Sequence, residues 1–112
     1  MGMLKKRAEI LLAGALVSCA CSVAVGTGLA DEQKNGETAF RRYCSECHFE
    51  GGNLVHADKT LSKADRERNG VRTVQDIIRL IRKPGDGMLM FDEKTLPDAE
   101  ARAIAEYILT TF

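Results

Sequence analysis

Cys44, Cys47 and His48 form a short string, Cys-Ser-Glu-Cys-His, whose residue types and spacing indicate a specific chemistry. Two thiols separated by two residues can lie on one side of a helical turn, where each can form a thioether with a vinyl group of a porphyrin. The same turn carries the histidine beneath the ring, where its imidazole can bind iron from one axial side. The string therefore predicts one covalent c-type haem held by Cys44 and Cys47, with His48 as an iron ligand.

The rest of the chain argues against three other uses of these cysteines. A structural zinc site needs four ligands, and no second cysteine pair or closely spaced histidine pair follows. A thioredoxin-like redox pair would sit near a βαβ pattern, and no Val/Ile-rich strand leads into Cys44. A disulfide between Cys44 and Cys47 is sterically possible but gives the adjacent His48 no role. We therefore favour the haem interpretation.

A haem that only passes electrons needs a second axial ligand, and the candidates are Met88, Met90 and His56. Met88 lies forty residues after His48 in a glycine-containing loop, which allows the backbone to approach the ring closely. His56 is only eight residues from His48 and would have to reach the opposite face of the porphyrin. We favour Met88, with Met90 as the alternative, and keep His56 and an open position as further options.

The elements that must position these residues are predicted to be helices, because no stretch shows the two-residue alternation of a strand. The pattern predicts an all-α fold of about four helices around the haem. The polarity of the second helix predicts that it lies on the outside. The first predicted helix runs from about Asn35 to Cys47, and the second runs from a Thr60 or Ser62 cap to near Asn69. The third begins at a capping box formed by Thr73 and Asp76 and includes Val74 and Ile81. The fourth has Pro97 in its first turn and continues to about Thr110.

The N-terminal segment has the layout of an export signal. Lys5, Lys6 and Arg7 precede a nearly uncharged stretch, 10–25, that is too short and too rich in small residues to be favoured as a permanent membrane span. Residues 16–19, Leu-Val-Ser-Cys, resemble a bacterial lipobox, in which Cys19 would become the acylated N-terminus. Cleavage after Ala30 to release a soluble periplasmic product is the alternative.

The composition sets limits on partners and on folding. The precursor has no net charge, and removal of the signal leaves the remainder slightly acidic, which is unlike a nucleic-acid-binding protein. The mature domain has about 80 residues and no tryptophan, which is little material for a self-sufficient core. A buried haem would supply the missing apolar mass. We therefore expect the haem-free chain to be poorly folded.

The chain resembles the small monohaem class I c-type cytochromes, particularly the cytochrome c6-like branch. Within that branch it is most similar to the outer-membrane c6-like lipoprotein cytochromes of metal-reducing bacteria such as Geobacter. Besides the haem-binding string, the resemblance rests on Gly36 and Phe40, on 51–56, on Lys59-Thr60-Leu61, on 69–74, on 84–91, and on 104–108. The similarity covers Gly36 to the C-terminus. It divides the chain into a lipoprotein signal peptide, 1–18, an anchor and flexible linker, 19–33, and a cytochrome c domain, 34–112.

The resemblance implies a fold in which the first and last helices cross at Gly36, with Phe40 and Tyr107 beside the crossing. It also supports Met88 as the iron ligand, because the loop usually reads Met-Pro-Ala-Phe in the family. Leu89 replaces that proline here, and Met90 places a second sulfur two residues away. If the fold sets His56 near a haem propionate, its protonation would favour the reduced iron and make the reduction potential depend on pH.

The predicted function is one-electron transfer by a monomeric carrier in the periplasm or at the outer membrane, lipid-anchored through Cys19. Its partners would be other redox proteins, chiefly c-type cytochromes, in a respiratory chain leading toward extracellular acceptors. One alternative is a haem enzyme with a displaceable methionine ligand, although no distal acid/base motif is visible. The other is a structural or regulatory subunit of a larger exported cytochrome complex.

Overall fold

The computed structural model describes residues 27–112, and every regular element in that range is helical. Four α-helices occur, and a short 3₁₀ turn, Phe49–Gly51, follows the haem-binding string. The helices are α1 (Thr27–Tyr43), α2 (Lys63–Arg68), α3 (Val74–Arg82) and α4 (Asp98–Thr111). The prediction of an all-α fold with four helices is confirmed. Among these described helices, none is both long and apolar enough to cross a membrane.

The crossing of α1 and α4 forms the centre of the fold. A Cβ atom on Gly36 would lie 2.9 Å from Tyr107 Cβ and 3.0 Å from Ala103 C, so only glycine fits at this point of contact. The Phe40 ring lies beside the crossing, with its centroid 5.3 Å from that of Tyr107. The sequence-based expectation of a close crossing at Gly36 is therefore confirmed.

Helix α3 packs against α4 and closes the core. The buried apolar side chains come from α1, α3, α4 and the loop before α4: Ala39, Phe40, Ile77, Ile81, Leu96, Ala101, Ile104, Ala105 and Ile108. Leu96 and Ile104 are fully enclosed. This core is small, as expected for a short chain, and it forms one wall of the cavity described below.

The predicted capping box at the start of α3 is present. Thr73 accepts a hydrogen bond from Asp76 N at 3.1 Å, and the Asp76 carboxylate accepts one from Thr73 N at 3.0 Å. That carboxylate also accepts from Arg72 N and from the Arg79 guanidinium. The hydrogen bond from Arg72 N, then those from Arg79 and Thr73, hold the pKa of Asp76 well below its ordinary value of 3.8.

Several predicted boundaries were wrong. Helix α1 ends at Tyr43 and not at Cys47, because the chain then turns, with Cys47 N and His48 N both donating to Cys44 O. It also begins at Thr27, so residues 27–33 of the predicted linker are helical. Pro97 is the residue before α4 and not a member of its first turn.

The second helix lies on the outside of the fold, as its polarity predicts, with one exception. Ser62, and not Thr60, provides its cap by accepting from Asp65 N, and the helix is only six residues long. Its Arg66 side chain is buried.

Candidate functional site

Three of the four predicted haem-binding residues, Cys44, His48 and Met88, line one cavity of about 410 Å³, a size typical of sites for cofactors and other small molecules. Cys44, His48, His56 and Met88 all contribute to its wall. An adjoining cavity of about 80 Å³ is lined by the same four residues and also by Cys47. The fold therefore brings both cysteines, the histidine and the favoured methionine to the walls of two cavities that share lining residues.

The turn after α1 presents the two cysteines differently. Cys44 continues directly from α1, with its N–H bonded to Phe40 O at 2.8 Å, and its side chain is partly buried. Cys47 is exposed. Burial raises the pKa of the Cys44 thiol to about 11, so that thiol is protonated at neutral pH.

His48 has one ring nitrogen engaged and one available. Its Nδ1 lies 2.8 Å from Gly52 O. A carbonyl oxygen only accepts, so Nδ1 carries the proton and the neutral ring keeps its free lone pair on Nε2. A hydrogen bond of this kind fixes the orientation of a metal-binding imidazole and increases its basicity. Nε2 is therefore the ring nitrogen of His48 that is available to a metal ion.

The backbone after His48 makes this hydrogen bond possible. Glu50 and Gly51 both have positive φ, 48° and 79°, which turns the chain back so that Gly52 O faces the ring. A Cβ atom on Gly51 would lie 2.5 Å from the Phe112 ring. The glycine is therefore required both by its conformation and by the aromatic ring packed over it.

Asn53 organises the loop that carries His56. Its Oδ1 accepts from Val55 N and His56 N, each at 2.9 Å, and its Nδ2 donates to Lys59 O at 2.9 Å. The family resemblance includes residues 51–56 but does not indicate this role of Asn53. The tendency of asparagine to bond to backbone N–H groups two or three residues ahead was the signal available.

The His56 loop and the Met88 loop contact each other. His56 Nε2 lies 3.1 Å from Asp86 O. Gly87 has φ 87°, and a Cβ atom there would lie 2.7 Å from Val55 Cγ1. The two segments are thirty residues apart in sequence and form adjacent parts of the cavity wall.

The far end of the Met88 loop is anchored to α3. Phe91 N donates to Ile81 O at 3.0 Å, and Arg82 Nη1 donates to Phe91 O at 3.0 Å. The Phe91 ring meets the edge of the Tyr43 ring at the end of α1, with centroids 5.8 Å apart. Met88 is partly buried and packs against the core, and its loop is held on one side by the contact at Asp86 O and on the other by the hydrogen bonds of Phe91.

Met90 and the other alternative metal sites receive less support from the geometry. Met90 is 67% exposed and lines neither cavity. Within residues 27–112, no group of three or more His, Cys, Asp or Glu side chains could hold a metal ion. Cys44 and Cys47 are not joined in a disulfide. Cys19, the predicted lipid site, lies outside the described residues.

Comparison with known proteins gives a consistent result. The family described as cytochrome C oxidase, cbb3-type, subunit III matches residues 31–108. Cytochrome c6 of Rippkaea orientalis is 38% identical over 81 residues, which is 72% of each chain. Cytochrome c6 of a Nostoc species is 35% identical over 100 residues, covering 89% of this chain and 86% of the relative. The outer-membrane cytochrome OmcF of Geobacter sulfurreducens is 48% identical, with a TM-score of 0.67, over 69% of this chain and 98% of its own.

The helical fold and a covalent haem site of this kind define a small c-type cytochrome. The chain belongs to the monohaem cytochromes of the cytochrome c6-like group. It has one covalently bound c-type haem, and its function is electron transfer, not enzymatic catalysis.

Proposed function

We propose that this cytochrome carries single electrons through a haem fixed by Cys44 and Cys47 and ligated by His48 and Met88. The observation that supports this assignment is the shared cavity, which Cys44, His48 and Met88 line together while Nδ1 of His48 is held by Gly52 O. When bound, the haem supplies an iron that alternates between the ferric and ferrous states. His48 and Met88 would hold that iron in both states.

Met88 is the proposed second ligand because it is partly buried at the cavity, whereas Met90 is exposed and does not line it. His56 also lines the cavity, but its Nε2 is directed to Asp86 O. A thioether sulfur is a weak donor that raises the reduction potential relative to a second imidazole. The proposed ligand pair therefore favours a higher potential than a pair of histidines.

Ligand identity can be tested with Met88→Ala and the matched control Met90→Ala. The absorption band from sulfur to ferric iron, near the red end of the spectrum, should disappear in the first variant and persist in the second. The first variant should also bind carbon monoxide rapidly when reduced, since it opens one iron position. Survival of the band in Met88→Ala would refute the assignment.

We further propose that protonation of His56 favours the reduced protein, because it adds positive charge at the cavity wall near the haem. The charged side chains that share this wall are Lys59, Asp65, Arg66 and Asp86. Histidine is the side chain that commonly titrates near neutral pH. The expected result is a reduction potential that falls as pH rises through neutrality in the native protein and is flatter in His56→Gln. A potential independent of pH in the native protein would dismiss this role.

The chain is proposed to be exported and anchored by a lipid at Cys19. The support is the lipobox-like sequence 16–19 and the similarity to an outer-membrane cytochrome. Cleavage before Cys19 would also leave α1 whole, whereas cleavage after Ala30 would remove its first four residues. Mass spectrometry of the native N-terminus should show an acylated Cys19. An unmodified chain starting at Asp31 would exclude the anchor.

The proposed partners are other redox proteins that dock beside the cavity, with this chain as a monomer. Leu54, Val55 and Leu89 expose 75%, 53% and 73% of their surface, and Val55 and Leu89 line the smaller cavity. Apolar side chains around a cofactor edge suit brief contact with a partner. Leu54→Ser combined with Leu89→Ser should slow electron exchange with a second c-type cytochrome without changing the potential. An unchanged exchange rate would place the docking surface elsewhere.

A further inference from the structure

Arg66 is a buried cation on the wall of the main cavity. It lies on α2, only 6% of its surface is exposed, and it is the one polar or charged residue buried within residues 27–112. Its Nε donates to Leu61 O at 2.7 Å, which fixes the plane of the guanidinium. Among the described residues it is the only arginine lining this cavity.

The protein itself provides no counterion for Arg66. Within the described part of the chain, Arg66 forms no ion pair, and its terminal nitrogens donate to no protein acceptor. The neighbouring Asp65 carboxylate is occupied by Thr60 N, Thr60 Oγ1 and the Arg68 guanidinium. A buried guanidinium without an anion is unfavourable, since it loses hydration without compensation.

The terminal nitrogens of Arg66 are open to the cavity. No enclosed side-chain nitrogen or oxygen of the described residues lacks a hydrogen-bond partner, so these two unpartnered nitrogens must have access to open space. Because the residue is almost fully covered and lines the cavity, we infer that this space is the cavity. Two parallel N–H donors of one guanidinium match the two oxygens of a carboxylate.

The cavity wall has an apolar part and a polar part, and a haem likewise has an apolar region and a polar edge. Its apolar part comes mainly from the helices, including Phe40, Ile77, Ile81 and Ile104. Most of its polar residues come from a single stretch of chain: Asn53, His56, Lys59, Thr60, Asp65, Arg66 and Asn69. A haem has an apolar ring and two propionate carboxylates on one edge. The polar stretch is therefore the region of the wall that suits the propionates.

We propose that Arg66 binds a haem propionate carboxylate through its two terminal nitrogens, while its Nε remains bonded to Leu61 O. This inference rests on the proposed haem site and adds a positioning residue to it. Arg66 then neutralises a negative charge close to the iron. Without it, the unpaired carboxylate would favour ferric iron, and the reduction potential would fall.

The test compares Arg66→Gln with Lys63→Gln in the haem-loaded protein. Lys63 lies on the same helix, is highly exposed and does not line the cavity, so it controls for the loss of one positive charge. At one fixed pH, the potential should fall in Arg66→Gln and remain nearly unchanged in Lys63→Gln. The propionate bending bands in the resonance Raman spectrum should shift only in Arg66→Gln. Arg66→Lys should recover part of the potential but not the original Raman bands.

A measurement on the native protein keeps the proposal testable if Arg66→Gln does not fold. In the reduced, diamagnetic protein, NMR should show nuclear Overhauser contacts between the Arg66 side chain and the propionate methylene protons. Absence of these contacts would overturn the proposal. So would an Arg66→Gln variant that is less stable to unfolding but has unchanged potential and Raman bands, because Arg66 would then serve only the hydrogen bond to Leu61 O.

The failure of this inference is distinct from the failure of the proposed function. If the native protein has no Soret band and lacks the added mass of haem, the proposed haem site itself is refuted. If the native protein contains haem but shows no contact between Arg66 and a propionate, only the proposed role of Arg66 is refuted.

Discussion

Substituting Gly36 by alanine tests whether the crossing of α1 and α4 holds the haem-binding turn in place. The new methyl group would overlap Ala103 O and lie 2.9 Å from Tyr107 Cβ and 3.0 Å from Ala103 C. Two of these three atoms belong to the backbone of α4 and cannot rotate away. The two helices must therefore separate, and α1 carries Cys44 immediately after its last residue.

The size of the effect follows from two opposing contributions. Overpacking of this kind typically costs about 1–3 kcal/mol, and contact with rigid backbone places Gly36→Ala near the upper end of that range. Replacing a helical glycine by alanine returns about 1 kcal/mol. The expected net loss is about 2 kcal/mol, which lowers the melting temperature by roughly 8–16 °C for a domain of this size.

The control is Gly28→Ala, which changes an exposed glycine of the same helix with no atom within 4 Å of the added methyl group. Thermal unfolding of the haem-loaded proteins should be followed by circular dichroism and by the Soret band. Gly28→Ala should be as stable as the native protein, or slightly more stable. If Gly36→Ala melts at or above the native temperature, the two helices are not packed as closely as described and the reasoning fails.

Three further predictions concern the core, the charge pattern and the cofactor. Leu96→Ala should lower the free energy of unfolding by about 2–5 kcal/mol in a urea titration, because it leaves a cavity at a fully enclosed position; a loss below about 1 kcal/mol would mean that the site collapses. Asp76→Asn should reduce stability at neutral pH, and the deficit should shrink progressively as the pH falls below about 4, since the depressed pKa means that the carboxylate contributes only while ionised; a deficit at pH 2 as large as that at pH 7 would assign the effect to the cap geometry and not to charge. The double variant Cys44→Ala with Cys47→Ala should lose most of its helical circular dichroism when purified without haem, because the small core then lacks its cofactor; a native-like spectrum would show that the polypeptide folds alone.

The sequence was sufficient for those features that depend on local patterns. The Cys-Ser-Glu-Cys-His string and the Thr73 capping box are each recognisable within a few residues. The capping box is present in the structure as predicted, and the three residues of the string lie at the walls of the two cavities. Local hydrogen-bonding rules and helical periodicity are enough to predict such features.

The features that were missed depend on contacts between distant segments. The approach of His56 to Asp86 spans thirty residues, and no periodicity in either segment indicates it. The burial of Arg66 has the same origin, because the charged composition of α2 predicts an exposed helix while the fold turns one arginine inward. The start of α1 was missed for another reason: Asn35 and Gly36 look like a helix boundary, but the helix continues through them.

The contact between the His56 and Met88 loops has a consequence for the speed of electron transfer. A carrier exchanges electrons faster when fewer atoms must shift as the charge on the iron changes, because fixed dipoles need no rearrangement at the moment of transfer. Here the loop that carries Met88, the proposed second ligand, contacts the His56 loop through Asp86 O and Gly87 and is bonded to α3 through Phe91. Loosening either attachment would raise the reorganisation energy and slow transfer, even with both axial ligands still bound.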